Sequence, residues 1–350
     1  MISSAPRRAA ALGALAAASL VVGRPALAQR NAPIKIAVGG VSCLCYLPTV
    51  LAKQLGLYEK HGLDAELVNF KGGSVALTAV LGGSADVVSG YYDHCVNLKA
   101  KNKDLKSIVV YDQVPGLALV VSPKATERVR SIADLAGKKV GVSAPGSSTD
   151  FFLKYLLRKN GVDPAKVSVI GIGLDDTAVA AQEQGQVDAA AMLDPAITFL
   201  QGKYKDLRVL VDTRTEKDTL AVFGGKYPGG SIYSTRDWVA KHPKESQAIA
   251  DALVETLQFI HAHSAEEIMA KMPKEVVGPN RQLYLAALEN TIPMYSKDGR
   301  MDPKGAQAVL DVFSQSVPEI ANANVDLATT YTNEFVDRAA RAAAGKSVAR

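Results

Sequence analysis

The 350-residue sequence has little cysteine, few aromatic residues and no marked excess of charge of one sign. Three cysteines are too few for a disulfide-built scaffold, and a chain of this length can bury a core without one. The ordinary contents of glycine, proline and charged residues exclude a collagen-like, coiled-coil or disordered chain. The sequence therefore predicts one large globular protein or two domains of moderate size.

The weak positive charge does not indicate a nucleic-acid partner. The formal charge is +5, but Arg7, Arg8 and Arg24 lie in a segment that we expect the mature protein to lack, and without them it is +2. A nucleic-acid-binding domain of this size normally carries a larger basic excess. We therefore expect no nucleic acid as the main ligand.

Residues 1–28 have the pattern of a secretory signal peptide. The basic pair Arg7-Arg8 precedes an uncharged run from Ala9 to Val22, and Ala26-Leu27-Ala28 ends the segment like a cleavage site. The apolar run is shorter than the roughly 20 residues that a membrane span requires. We expect export to the periplasm, with the twin-arginine route open as an alternative although no Phe-Leu follows the arginines.

Beyond Pro33 the chain alternates short β-branched runs with amphipathic segments, which is typical of parallel sheets flanked by helices. The same order of elements occurs twice, about a hundred residues apart. In both halves a glycine ends a helix ahead of the next strand, as at Gly62 and Gly161. The predicted strands are 34–38, 65–70, 86–88, 140–142, 167–170 and 187–191, and the predicted helices are 47–57, 74–81, 149–159 and 176–184.

This repeat predicts an α/β protein of two lobes, each a mostly parallel sheet flanked by helices. Two chain crossings, at 116–122 and between 212 and 234, would join the lobes. Residues 33–116 with 230–345 would form lobe 1, and residues 117–229 lobe 2. From Trp238 onward the pattern is helical, with a long helix at 245–263 and others starting near Pro279, Pro303 and Asp326, and we expect this region to pack on lobe 1.

Ligands of open parallel sheets bind beyond the carboxyl ends of the strands, so the loops there are the candidate binding site. Two facing edges form a cleft that closes on a ligand. The candidate ligand-binding residues on these loops are Ser42, Cys43, Cys45, Tyr46, Gly73, Ser74, Tyr91, Tyr92, Gly146, Ser147, Ser148, Thr149 and Asp194.

The loop at Pro145–Asp150 is the most informative of these. Small hydroxyl residues before a helix leave backbone N–H groups at its positive end, where an anion can bind. Gly72-Gly73-Ser74 offers the same from the opposite lobe, and plain helix capping is the alternative for each loop. Tyr46, Tyr91 and Tyr92 can contact a small ligand or belong to the core.

Asp194 precedes Pro195, so it can bind an amine on the ligand or cap a helix, and we favour the cap. No phosphate loop, G-x-S-x-G elbow or H-E-x-x-H motif is present, so we expect no enzyme, no catalytic residue and no cofactor. The cysteines leave three alternatives open: buried thiols, a disulfide from Cys95 to Cys43 or Cys45, or a metal site of Cys43, Cys45, His94 and Cys95.

Several stretches resemble the substrate-binding proteins of ABC importers for nitrate, sulfonates, taurine and thiamine-pyrimidine precursors. The resemblance covers nearly the whole mature chain. The stretches that carry it are Gly56–Asp64, Gly83–Val87, Ile132–Val142, Pro145–Ser148 and Gly185–Ala189.

The resemblance implies a hinged, monomeric type II periplasmic binding protein that captures a small anionic or zwitterionic organic solute and docks on an inner-membrane permease. It also implies that the loops at 146–149, 42–46 and 73–74 line the cleft. Cys43-Leu44-Cys45 departs from the usual pattern. An alternative is therefore binding of a thiamine-pyrimidine precursor, or a metal- or thiol-dependent enzyme related to pyrimidine synthases; a sensor role is also open.

Overall fold

The structure, a computed structural model, describes residues 32–348. The predicted signal peptide lies outside the described residues. Ten strands are present: β1 Ile34–Val38, β2 Ala65–Asn69, β3 Val87–Tyr91, β4 Leu105–Val110, β5 Ala118–Val121, β6 Lys139–Val142, β7 Ser168–Gly171, β8 Ala189–Met192, β9 Val209–Asp212 and β10 Gly230–Thr235.

The helices flank these strands and make up most of the chain after β10. They are α1 Leu47–Gln54, α2 Leu57–Lys60, α3 Gly73–Leu81, α4 Asp93–Lys99, α5 Ser148–Lys159, α6 Asp176–Gln184, α7 Ala196–Lys203, α8 Glu216–Phe223, α9 Arg236–Lys241, α10 Pro243–Ala262, α11 Ala265–Met269, α12 Lys274–Val277, α13 Arg281–Thr291, α14 Pro303–Ser316, α15 Pro318–Ala321 and α16 Glu334–Val348. A short 3₁₀ helix, Leu44–Tyr46, precedes α1.

The strands form two five-stranded sheets with the same topology. The first has the order β2-β1-β3-β10-β4 and the second β7-β6-β8-β5-β9. In the first sheet β10 runs antiparallel to both neighbours, and in the second sheet β5 does the same. The other four strands of each sheet share one direction. The two-lobed α/β fold with mostly parallel sheets is therefore confirmed, and we name the lobes after the first and second sheets.

Local signals account for the elements that were predicted well. β1 matches its predicted limits, and its last three residues are fully buried. α6 also matches its limits, since the Asp175 side chain caps it by accepting from Thr177 N–H, and Gly185 ends it at a φ of 70°.

Three strands, β4, β9 and β10, are not predicted from the sequence. β10 consists of Gly-Ser-Ile-Tyr-Ser-Thr, and the glycines at 224–230 suggest irregular structure there. Pairing with β3 and β4 makes this segment a strand. Most of the predicted first crossing, 116–122, is likewise strand β5, because it pairs with β8 and β9.

The two connections between the lobes run side by side. Leu117 and Thr213 exchange hydrogen bonds: Thr213 N–H donates to the Leu117 carbonyl at 2.8 Å, and Leu117 N–H donates to Thr213 Oγ1 at 3.1 Å. Gly229 N–H donates to the Asp112 carbonyl at 3.1 Å. Paired strands of this kind suit a hinge, because both can change backbone angles together.

The helical region after β10 is confirmed, and it reaches both lobes. α10 packs on α1, α2 and β4, and α16 packs on α10 and β4. In addition, α13 contacts α7 and α14 contacts α5, so this region also lies against the second lobe. Among residues 32–348 no helix combines the length and apolar character that crossing a bilayer demands.

Candidate functional site

The loops that start α3 and α5 meet at the boundary between the lobes. Ser74 N–H donates to Ser147 Oγ at 3.0 Å, and the two hydroxyls are hydrogen-bonded at 3.0 Å. Ser74 Oγ also donates to the Pro145 carbonyl at 2.9 Å. The prediction that these loops face each other is confirmed, and ligand binding by Gly73, Ser74, Gly146 and Ser147 stays a prediction.

Two glycines let these loops approach closely. Gly72 has a φ of +131°, and a Cβ there would lie 2.9 Å from the Ala144 Cβ of the second lobe. A Cβ on Gly73 would lie 3.0 Å from His94 Cε1. The contact between the lobes thus depends on the absence of a side chain at Gly72, while Gly73 leaves room for His94 of its own lobe.

A second polar contact joins the lobes through Asp93, the first residue of α4. Asp93 Oδ1 accepts from Ser148 Oγ at 2.8 Å, and Oδ2 accepts from the Tyr227 hydroxyl at 3.3 Å. Burial raises the pKa of the Asp93 carboxyl to about 7. Asp93 therefore gains or loses a proton near neutral pH. It does so while bonded to Ser148, the first residue of α5.

His94 lies beside Asp93 and is also buried. Its Nδ1 is hydrogen-bonded to the Tyr233 hydroxyl at 2.6 Å, and its ring contacts the edge of Phe151 at a centroid distance of 5.8 Å. Among the described residues Nε2 has no hydrogen-bond partner. Burial lowers the pKa of the imidazole to about 4, so it is neutral at physiological pH.

The sequence predicted His94 to follow the third strand at the cleft edge and named it as a ligand only in the alternative metal site. Its role as a buried polar group at the lobe boundary depends on Tyr233, which lies 139 residues further along the chain. We call Ser74, Asp93, His94, Ser147 and Ser148 the cross-lobe cluster.

Thr149 does not extend this cluster. Its Oγ1 accepts from Ser143 N–H at 2.9 Å and is hydrogen-bonded to Ser143 Oγ at 2.9 Å. The Thr149 side chain therefore stabilises its own loop.

The three tyrosines that were predicted to contact a ligand or belong to the core lie in different surroundings. Tyr46 is buried and meets Tyr91 edge to face at 6.2 Å between ring centroids. The Tyr91 hydroxyl donates to the Pro115 carbonyl of the first connection at 2.7 Å. Tyr92 is hydrogen-bonded to Thr330 Oγ1 at 2.5 Å, so its hydroxyl contacts the C-terminal region.

The Asp194 side chain caps α7, as the sequence favoured, but from the residue before the N-cap, which is Pro195. Its Oδ1 accepts from Thr198 N–H at 2.9 Å and from Thr198 Oγ1 at 2.7 Å, and its Oδ2 lies 3.2 Å from Arg214 Nη1. Both carboxylate oxygens thus have protein partners. The Asp194 carbonyl also accepts from Leu44 N–H of the first lobe at 3.0 Å.

The predicted alternative of a disulfide from Cys95 to Cys43 or Cys45 is wrong. The disulfide links Cys43 with Cys45, and Cys95 is a buried free thiol. Cys43 and Cys45 lie two residues apart and are bonded to each other, so neither can form a disulfide with Cys95.

The alternative metal site of Cys43, Cys45, His94 and Cys95 is wrong as well. Within residues 32–348 no group of three or more His, Cys, Asp and Glu side chains is placed to hold a metal ion. Burial also raises the pKa of the Cys95 thiol well above its usual value, which disfavours the reactive thiolate.

The chain matches the family model described as NMT1/THI5 like over residues 46–267. It belongs to this family. A solved structure from Bordetella bronchiseptica RB50 is 37% identical, covers 88% of this chain and 97% of that one, and superposes with a TM-score of 0.85.

A second solved structure has the same fold, and a sequence relative also matches. The alkanesulfonate-binding protein SsuA from Xanthomonas axonopodis pv. citri, solved with bound MOPS, is 22% identical, covers 86% of this chain and 98% of its own, and has a TM-score of 0.64. A putative binding protein of Brucella abortus is 29% identical over 223 residues, which are 63% of this chain and 65% of the relative. The match thus spans slightly less than two thirds of the curated relative's length.

Proposed function

We propose that this chain is the solute-binding component of an ABC importer. In this proposal it captures a small anionic or zwitterionic organic solute, such as a sulfonate or carboxylate, between its lobes. The observation that carries the proposal is the cross-lobe cluster, in which Ser74 and Ser147 join two helix starts. Beside them lies His94 Nε2, a buried nitrogen that has no hydrogen-bond partner among residues 32–348.

The geometry of Ser74 and Ser147 indicates how an oxyanion binds. Ser147 Oγ accepts from Ser74 N–H at 3.0 Å. A solute oxygen inserted between the lobes takes over as acceptor from this N–H and from the Ser147 hydroxyl. Both groups lie at the positive ends of helices α3 and α5, which favour negative charge.

His94 supplies a third donor in this proposal. With the Tyr233 hydroxyl donating to Nδ1, the neutral ring carries its proton on Nε2, and Nε2–H donates to the solute. A buried donor left without a partner costs about 1–3 kcal/mol, so pairing it on binding is favourable.

The wider assignments follow from the same proposal. Residues 33–116 with 230–345 move as lobe 1 and residues 117–229 as lobe 2, about the paired connections. Residues 1–28 direct export, the mature chain acts as a monomer in the periplasm, and the closed form docks on an inner-membrane permease. The sulfonate-binding relative of the same fold supports a ligand of this class.

A thermal-shift screen followed by calorimetric titration tests the proposal. Sulfonates, carboxylates and pyrimidines are screened, and at 100 times its Kd a ligand adds about 2.7 kcal/mol to the free energy of unfolding. For the best ligand we expect Ser74→Ala with Ser147→Ala to weaken binding at least about tenfold. The double change removes the Ser147 hydroxyl that donates to the charged solute, and the Ser74 hydroxyl that holds the two loops together through the Pro145 carbonyl.

The matched control is Ser84→Ala with Ser168→Ala, which removes one exposed serine from each lobe. This control is expected to bind like the unmodified chain. The proposal fails if no compound stabilises the protein, or if the Ser74 and Ser147 variant retains full affinity.

A further inference from the structure

A cavity of about 870 Å³ opens between the second lobe and the C-terminal helices. One wall is formed by α6, α7 and the loop before α6. The opposite wall is formed by the segment from α12 to the start of α13, and Ser42 of the first lobe also lines it. We call this space the side cavity.

The inner surface of the side cavity is largely apolar. Leu174, Val179 and Phe199 line it from the second lobe, and Val277 and Leu283 line it from the C-terminal helices. Leu174 is buried, while Phe199 is half-buried and presents an aromatic ring. Such a surface suits the apolar or aromatic body of a small molecule.

The charges that line the side cavity are mainly negative. Glu183 is paired with Lys203, the cavity's one lysine, at 2.6 Å. The other charged lining residues are Asp175, Asp176 and Glu275, which form no salt bridge within the described part of the chain. Asp175 is used as the N-cap of α6, where its Oδ1 accepts from Thr177 N–H and Thr177 Oγ1. Asp176 and Glu275 therefore remain without a cationic partner among the described residues.

We propose that the side cavity binds an organic cation, an ammonium group on an apolar or aromatic body. Asp176 and Glu275 come from opposite walls, so an ammonium group at the rim is attracted from both sides. The body of the molecule then packs on Leu174 and Phe199, where an aromatic ring also favours a nearby cation.

This site differs from the cross-lobe cluster in its charge and shares no residue with it, although Ser42, a predicted ligand-binding residue, lines the side cavity. The cross-lobe cluster offers hydroxyl, amide and imidazole donors to an oxyanion, whereas the side cavity offers carboxylate acceptors to a cation. The inference therefore does not rest on the proposed function. Because α7 and α13 contact each other beside the cavity, a bound cation also adds contacts between the second lobe and the C-terminal region.

Calorimetric titration of the mature chain with three ligands that share a phenylethyl group and differ in charge tests the proposal. The ligands are 2-phenylethylamine, the neutral 2-phenylethanol and the anionic 3-phenylpropionate, at about 20 mM and about 300 mM salt. We expect the amine to bind at least about tenfold more tightly than either analogue at low salt, and the difference to shrink at high salt.

Asp176→Asn with Glu275→Gln is expected to weaken amine binding about fivefold at low salt, a modest effect because both residues are exposed. The control Glu66→Gln with Glu319→Gln removes the same charge from exposed positions outside the cavity and is expected to leave the affinity unchanged. All four residues are exposed, so we expect every variant to fold.

Equal affinity for the three ligands, or equal loss in both double variants, overturns the proposal. If no sulfonate or carboxylate binds but the amine does, the proposed function is refuted and this inference stands. Anion binding that depends on Ser74 and Ser147, without amine binding, would do the reverse.

Discussion

The first and second lobes share one strand order, yet they bring different chemistry to the boundary between them. The first lobe contributes Asp93, which has no salt bridge in the described part of the chain and whose pKa burial raises to about 7, and a neutral His94. The second lobe contributes serine hydroxyls, and its two buried carboxylates are paired, Asp150 with Lys154 at 2.8 Å and Asp194 with Arg214.

This difference assigns separate roles to the two lobes. The second lobe has balanced charge at the boundary, so its loops can present hydroxyl and amide donors with little dependence on pH. In the proposed binding mode, the first lobe carries the titratable group whose protonation can change when a solute arrives, the Asp93 carboxyl. Proton uptake on binding is therefore expected from the first lobe.

The largest expected effect comes from removing the Asp93 charge. A buried acid with a raised pKa stabilises the fold at low pH, and this stability is lost as the pH rises from about 4 through 7. We expect Asp93→Asn to unfold less readily than the unmodified chain at pH 8, by roughly 4 kcal/mol at most, with the gain shrinking towards pH 5. Urea unfolding at the two pH values measures this.

Asp150→Asn is the matched change in the second lobe. It removes a carboxylate that is paired with Lys154 and accepts from Gly146 N–H at 2.7 Å, so we expect it to lower stability at both pH values. The comparison between the lobes is wrong if Asp150→Asn stabilises the protein at pH 8 or if Asp93→Asn does not.

An intermediate effect is expected from the glycines of the two facing loops. Gly72→Ala places a Cβ 2.9 Å from Ala144 and requires a φ of +131°, whereas at Gly146 the φ is +79° and the nearest atom, Ser74 Cβ, is 3.8 Å away. We expect Gly72→Ala to cost about 2–3 kcal/mol of stability and Gly146→Ala about 1 kcal/mol.

Thermal unfolding of both variants measures these costs, and binding of the best anionic solute should weaken more for Gly72→Ala. Equal effects at the two glycines would show that the loops do not approach as closely as described.

The smallest effect concerns the cysteines. Under denaturing conditions without reductant we expect one reactive thiol per chain, that of Cys95, and after reduction three. Under native conditions we expect none, because Cys95 is buried and its raised pKa disfavours the thiolate. Mass spectrometry after alkylation counts the thiols. Three reactive thiols without reductant would contradict the disulfide.

Much of the fold could be predicted because its signals are local. The apolar run of β1 and the cap and terminal glycine of α6 lie within the elements they define. The facing of Ser74 and Ser147 followed from the rule that ligands bind at the carboxyl ends of parallel strands.

The remainder depends on partners that are distant in sequence. β10 is a strand because it lies between β3 and β4, and His94 is oriented by Tyr233. The side cavity is formed by segments about a hundred residues apart, so no spacing in the sequence indicates it.

The most direct test of the central claim is a crystal structure of the mature chain with the anionic solute that the screen identifies. We expect closed lobes with a solute oxygen within hydrogen-bond distance of Ser74 N, Ser147 Oγ and His94 Nε2. A solute whose acidic group lies elsewhere, with the direct bond between Ser74 and Ser147 intact, would contradict it.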